Sequence, residues 1–222
     1  MVLSIDSRGG NALASQAVFH EVMRFRRSGK PVVVCLGNNA TSGAYLIAAA
    51  ANQILALPVT GSIGAYSKAV DRSGFAKALG MEEDGVLAGK NAMLLPECAN
   101  MSKAQRKQLN AQTERHYAAF LRNVAEGRGM TVAQVEKVAE GRLWSGRDAL
   151  KHGLVDQMGG YFDAVATAKE LAKLPKGVGA VQLVAVDDAP SNTIALEDHQ
   201  LSIWESLHIW RRQLMKPYTL KA

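Results

Sequence analysis

The sequence is poor in the features that would assign a function by composition. Cysteine is nearly absent: Cys35 and Cys98 are the only two in 222 residues, too few for a disulfide framework or a metal-ligand spacing. Cys35 sits inside an apolar run and reads as a small apolar residue. No block of Lys and Arg is longer than Arg26-Arg27 or Arg211-Arg212, so the net charge of +6 reads as a solvated surface. No nucleic-acid-binding signature accompanies that charge. Long apolar runs are missing too. The longest, Ala44 to Ala51, is about eight residues before Asn52 and Gln53 interrupt it, against roughly 20 for a membrane-spanning helix. None of the histidines lies in a glycine-rich loop at a strand end. What remains, 48% hydrophobic and 21% charged, is the composition of an ordinary globular domain, with no cofactor and no metal implied.

What is present is an alternation of strand and helix patterns. Val2 to Asp6 reads as a strand and is followed by the glycine turn Ser7-Arg8-Gly9-Gly10-Asn11. A helix over Ala12 to Arg27 carries Leu13, Ala17, Val18, Val22 and Phe25 at helical spacing. Val32 to Leu36 is short and β-branched enough for a buried strand, with Gly37 and the Asn38-Asn39 pair expected to end it. A small-residue helix follows from Ser42. This β-α-β-α order implies parallel strands joined by right-handed crossovers.

Farther on, Ile54 to Leu57 reads as a strand, Thr60 to Gly64 as a tight loop, and Phe75 to Leu79 as a short helix. Ser102-Lys-Ala-Gln105 is a capping-box pattern that opens a long helix to about Glu126. Thr131-Val-Ala-Gln134 and Ser145-Gly-Arg-Asp148 are further helix starts, giving short helices in succession and then a helix over Phe162 to Lys173. The domain boundary is placed after Leu174. Residues 1–174 are expected to form the main domain, and residues 175–222 an extension with a strand at Val181 to Val186 and an amphipathic helix at Leu201 to Met215.

The chemistry centres on Ser42. A serine at a strand-to-helix turn, followed by Gly43, can present its hydroxyl beside exposed backbone N–H groups suited to an oxyanion. The same position equally suits a plain helix N-cap. Nucleophilic attack also needs a base. A histidine would have to arrive by tertiary contact. A lysine can serve if it is neutral, which burial or a neighbouring cation favours. Lys90 is the one lysine set between a glycine and an apolar run, and a surface loop lysine is the competing reading.

Six segments recur in order: Ser7 to Gly10, Gly29 to Val34, Ala40 to Tyr45, Thr60 to Gly64, Gly141 to Gly146 and Gly153 to Asp156. Together they resemble the signal peptide peptidase A (protease IV) family of serine peptidases, over Val2 to about Ala172. The resemblance implies an α/β, ClpP/crotonase-like fold of parallel strands with flanking helices and a Ser–Lys dyad. Ser42 matches the nucleophile and Lys90 the general base. Ser62 matches the serine that orients that lysine, and Gly43 and Gly10 match the oxyanion donors. Arg8, Thr41 and Ala44 depart from the family pattern, but the glycines with the relevant N–H groups are kept.

The family's opening strands, helix and membrane anchor have no counterpart before Met1, so an N-terminally short domain is expected. The expected activity is an endopeptidase acting on extended apolar peptides such as signal-peptide or membrane-protein fragments, in a homo-oligomer. Membrane association would come only through the missing N-terminal segment or the C-terminal helix. An inactive scaffold relative and a crotonase-type acyl-CoA enzyme are the alternatives.

Overall fold

The computed structural model describes residues 1–70, 72–81, 86, 88, 89, 92 and 101–174. Strand β1 (Val2–Ser7) leads through the glycine turn into helix α1 (Ala12–Arg27). Asn11 caps α1, its side-chain oxygen accepting from the N–H groups of Leu13 and Ala14. Strand β2 (Val33–Ala40), helix α2 (Gly43–Ala49) and strand β3 (Gln53–Ala56) follow. Strand β4 (Val59–Ile63) and helix α3 (Ser73–Ala78) lead toward the long helix α4 (Lys103–Arg128). The described part closes with α5 (Val132–Val138), β5 (Arg142–Ser145), α6 (Gly146–Lys151), β6 (Gln157–Met158) and α7 (Tyr161–Leu171).

The main sheet has the order β1-β2-β3-β6, and every pairing in it is parallel. The α/β class is therefore as the alternation implied. Strand β2 is central and buried on both faces, as its unbroken apolar run requires. Successive side chains of a strand point to opposite faces, and the two faces find different partners. Val32, Val34 and Leu36 join Phe19 of α1, Tyr45 of α2 and Phe120 of α4 in the larger core, while Val33 and Cys35 pack with Leu55 and Ala164 of α7. Arg26 ties the helix layer together, its Nη1 donating to the carbonyls of Ala51 (3.0 Å) and Gly127 (3.2 Å).

Four local expectations are corrected. β2 does not end at Gly37 but runs on to Ala40, because β1 pairs with it as far as Ser7↔Ala40 across a register shift. Thr60 to Gly64 is not a free loop: Val59–Ile63 pairs antiparallel with Arg142–Ser145, a partner about 80 residues away that no local pattern reveals. The same pairing replaces the expected succession of short helices by α5, β5 and α6. On α1 the buried positions are Ser15, Phe19, Val22 and Met23, whereas Leu13 and Val18 are exposed. The helix is rotated so that Ser15 meets Gly43. The capping boxes at Ser102 and Thr131 form as read. The tail elements assigned within 175–222 lie outside the described residues.

Candidate active site

Ser42 stands at the junction of β2 and α2, where backbone hydrogen bonds hold the turn on three sides. Its backbone is at φ 54° and ψ −116°, in the region that L-residues avoid and that costs about 1–3 kcal/mol when imposed on them. Such a conformation persists only where surrounding structure over-determines it, and here that structure is visible. Thr41 N–H donates to the Ser7 carbonyl at 3.1 Å, Ser42 N–H to the Ser62 carbonyl at 2.8 Å, and Leu46 N–H to the Ser42 carbonyl at 3.0 Å. The turn is thus fastened to β1, to β4 and to its own helix. The Ser42 side chain makes no capping hydrogen bond, which removes the plain N-cap reading: a cap serine is defined by that bond.

Two glycines let other backbone reach this turn. A Cβ on Gly43 would lie 2.1 Å from Ser15 Oγ and 2.9 Å from Ser15 Cβ, so only glycine permits α1 and α2 to approach there. Gly9, at φ +85°, would place a Cβ 2.5 Å from the Thr41 carbonyl oxygen, so the β1–α1 turn lies directly against the serine turn. Gly10 follows it, with open space where its Cβ would be. Gly43 is the first residue of α2, a position whose N–H has no intrahelical acceptor. Among the described residues neither the Gly10 nor the Gly43 N–H has an acceptor. Ser42, Gly43 and Gly10 are therefore brought together from two strand ends.

Ser62 is also at the turn, through its backbone. Its carbonyl takes the Ser42 N–H, its N–H donates to Thr41 Oγ1 at 3.3 Å, and its hydroxyl donates to the Gly141 carbonyl at 2.7 Å. Having donated its proton there, that hydroxyl can still accept through its oxygen. Lys90 lies outside the described residues, as does Cys98.

A small cavity of about 40 Å³ opens beside Ser42, Gly43 and Gly10. Leu13 and Leu46 wall it from α1 and α2, and His116, Phe120 and Asn123 reach it from α4. Neither His116 nor Asn123 was singled out from the sequence. The available signal was helical spacing: positions 116, 120 and 123 fall on one face of α4, with a histidine and an asparagine where an apolar stripe would continue. Asn123 is buried, and its Nδ2 has no hydrogen-bond partner.

Away from the cavity, the C-terminal end of α4 is closed by a polar cluster around Arg128. Arg128 donates to both carboxylate oxygens of Asp156, at 2.7 and 3.0 Å, and to the Gly153 carbonyl. Asp156 in turn accepts the Ile54 N–H at 2.6 Å. Burial opposes the charge on Arg128, but the Asp156 carboxylate outweighs it and raises its pKa. Nearby, Tyr45 donates its hydroxyl to the Leu154 carbonyl at 2.8 Å, and burial raises its phenol above the ordinary range. Among the described residues no cluster of three His, Cys, Asp or Glu side chains could hold a metal. Among them, too, no helix is long and apolar enough to cross a membrane.

Comparison with known proteins gives one consistent result. The sequence model of peptidase family S49 matches residues 24–175. Protease 4 of Salmonella typhi is 39% identical over 176 residues, covering 78% of this chain and 28% of that protein. The chloroplastic serine protease SPPA of Arabidopsis thaliana is 36% identical over 187 residues, covering 82% of this chain and 28% of that protein. Protease 4 of Haemophilus influenzae is 33% identical over 208 residues, covering 91% and 33% respectively. The chain spans about a third or less of the length of these relatives.

Proposed function

The chain belongs to peptidase family S49, and from that premise we propose that it is a serine endopeptidase in which Ser42 attacks the scissile carbonyl and Lys90 takes its proton. The observation that carries the reading is the Ser42 turn itself. A strained, positive-φ serine whose hydroxyl makes no cap bond is held beside two backbone N–H groups that have no acceptor among the described residues. That is the arrangement acyl transfer needs: a nucleophile with donors where negative charge develops. Gly10 and Gly43 supply those donors. Ser62, fixed next to Ser42, positions the lysine by accepting from its ammonium or amine N–H.

The step proceeds as for any serine acylation. Ser42 Oγ bonds to the carbonyl carbon as its proton passes to the neutral Lys90 amine. The resulting oxyanion is held by the two N–H groups, and the proton then goes to the leaving amine as the C–N bond breaks. Water, deprotonated by the same lysine, hydrolyses the ester. An extended peptide supplies the substrate, and a homo-oligomer, in which serine and lysine come from one chain or from neighbouring copies, is the working assembly. Family membership gives no support to an acyl-CoA enzyme, and an inactive scaffold is the outcome the test excludes.

Labelling with a fluorophosphonate tests the reading directly. An adduct on Ser42, lost in Lys90→Ala, is expected; absence of any adduct on the folded protein overturns it. A second reading has one observation behind it, since His116 lines the same cavity as Ser42 and imidazole is the commoner base. Full labelling in Lys90→Ala together with none in His116→Ala would transfer the base to His116.

A further inference from the structure

Next to the Ser42 turn lies a second strained turn, and hydrogen bonds join the two. Helix α5 is capped at Ala139, and the Arg142 N–H donates back to the Ala139 carbonyl at 3.2 Å. The two residues between them are both left-handed, Glu140 at φ 58° and Gly141 at φ 80°. Positive φ at both central positions is the pattern of a type I′ turn, whose first central residue is ordinarily asparagine, aspartate or glycine. The Glu140 side chain does not explain the exception. It pairs with Arg142 at the surface, and exposed pairs of that kind contribute little. Among the described residues, Ser42, Glu140 and Lys173 are the non-glycine residues at positive φ, and two of the three lie on one path.

A backbone in such a conformation persists where its surroundings over-determine it, and both N–H groups of the turn are held. Glu140 N–H donates to the Tyr117 phenol oxygen at 3.2 Å, and Gly141 N–H to the Ile63 carbonyl at 2.8 Å. Tyr117 belongs to α4 and packs against the larger core, so its oxygen is a fixed point. From the turn the path continues to the nucleophile. The Gly141 carbonyl accepts the Ser62 hydroxyl at 2.7 Å, and the Ser62 carbonyl accepts the Ser42 N–H at 2.8 Å. The cavity beside Ser42 is lined by His116 and Phe120 but not by Tyr117, so an effect of the phenol on Ser42 travels by this path.

We propose that Tyr117 is a positioning residue for Ser42: its phenol oxygen holds the Glu140–Gly141 turn, the turn fixes the Ser62 hydroxyl and anchors β4, and β4 holds the backbone of the nucleophile. This rests on the peptidase reading of Ser42 and adds to it a residue that touches neither substrate nor reacting atoms. Without the phenol oxygen, Glu140 keeps an unpaired N–H in a conformation that L-residues disfavour, and the turn relaxes toward negative φ. Gly141 then withdraws its carbonyl from Ser62, and the Ser42 N–H loses its fixed acceptor. The Thr41 N–H is bonded to Ser7 of β1 instead. It lies off the path and serves as an internal control.

The test removes one oxygen. Tyr117→Phe keeps the ring in the core and deletes the acceptor. In that variant kcat for an extended peptide should fall about two- to tenfold, the range one neutral hydrogen bond supports, with KM unchanged. Amide hydrogen exchange at Ser42 and Gly141 should quicken by a similar factor, while Thr41 keeps its wild-type rate. Adding Glu140→Asn, which gives the turn its favoured asparagine-glycine pair, should restore both readouts. A tyrosine that served stability alone would quicken exchange at Thr41 as well and leave kcat per folded molecule unmoved. That pattern, wild-type behaviour of Tyr117→Phe, or losses that Glu140→Asn does not restore overturns the proposal. If Tyr117→Phe does not fold, Glu140→Pro attacks the same contact from its exposed side, since proline has no N–H and holds φ at about −65°. Wild-type kcat and Ser42 exchange in that variant overturn the proposal equally. If the wild-type protein hydrolyses no peptide and takes up no fluorophosphonate, the peptidase reading falls. Tyr117 is then judged by exchange alone: faster exchange at Ser42 in Tyr117→Phe, reversed by Glu140→Asn, supports its positioning role, and an unchanged rate overturns it.

Discussion

Helix α4 (Lys103–Arg128) passes through two very different environments, and the contrast separates what holds this fold together from the site proposed to react. At the Arg128 end the polar groups are matched. The guanidinium reaches both oxygens of Asp156 and a carbonyl, Asp156 holds the Ile54 N–H, and Tyr45 donates to Leu154. One to three turns earlier, the same helix lines the cavity beside Ser42, which sits in a strained backbone conformation, and carries the buried Asn123, whose Nδ2 has no partner. Active sites are drawn from such under-satisfied regions because a group already paired with the protein is unavailable to a substrate.

The sharpest way to break the comparison is to attack the reactive side. If Ser42 and Lys90 are the nucleophile and base proposed, Ser42→Ala and Lys90→Ala should each lower peptide hydrolysis by about 10³-fold or more, and the double variant should be no worse than the poorer single one, since such a pair acts as a unit. Circular dichroism and melting temperature should stay within ordinary surface-mutation scatter. Additive losses would show that the two residues do not share one step.

Attacking the matched side should do the reverse. Arg128→Met leaves Asp156 partly buried without its cation, and loss of one partner from a buried pair costs about 3–5 kcal/mol. Denaturant midpoints should fall accordingly, while activity per folded molecule at low temperature stays near wild type. A variant as stable as wild type would mean that the cluster is solvated and contributes little.

Tyr45 gives that side a pH signature. Burial raises its phenol, so the folded state keeps a proton that the unfolded chain releases above about pH 10. The stability this provides is complete below pH 10 and declines as pH rises further, by at most about 1.4 kcal/mol per pH unit. Tyr45→Phe should be less stable at neutral pH by about 1 kcal/mol, since the Leu154 carbonyl loses its donor, yet lose less on going from pH 9 to pH 11. Parallel stability curves for the two proteins would contradict the assignment.

The smallest effect sharpens the comparison from within the site. Ser42→Gly relieves the positive φ and should raise stability by about 1 kcal/mol while abolishing activity. A loss of stability instead would mean that the turn is unstrained and that the Ser42 hydroxyl contributes to folding.

Legibility of the sequence followed the range of the interactions involved. The α1 bounds, the Ser102 and Thr131 caps and the buried β2 run are set by residues within a turn or two of each other, and they were readable. The inward face of α1 was not, because Leu13 and Val18 are apolar but the docking of Ser15 against Gly43 turns them outward. The β4–β5 pairing was not, because its two strands are joined only by a long stretch of chain. Ser42 stood out from its motif, yet the features that distinguish it from a cap, its backbone angles and the missing cap bond, exist only once β1 and β4 grip the turn. Lys90 and the segment 175–222 lie outside the described residues, so their assignments stand as proposals.

By itself, then, the sequence determined the parallel α/β alternation, the helix starts, and the serine and glycines that meet at the strand ends, because propensity, capping and period are local properties of the chain. Only the tertiary structure decided which face of α1 is buried, that β4 clamps Ser42 through Ser62, and that His116 and Asn123 share a cavity with the serine. Those outcomes depend on how elements distant in sequence pack, and steric fit between backbones, such as Ser15 against Gly43, is written in no single segment.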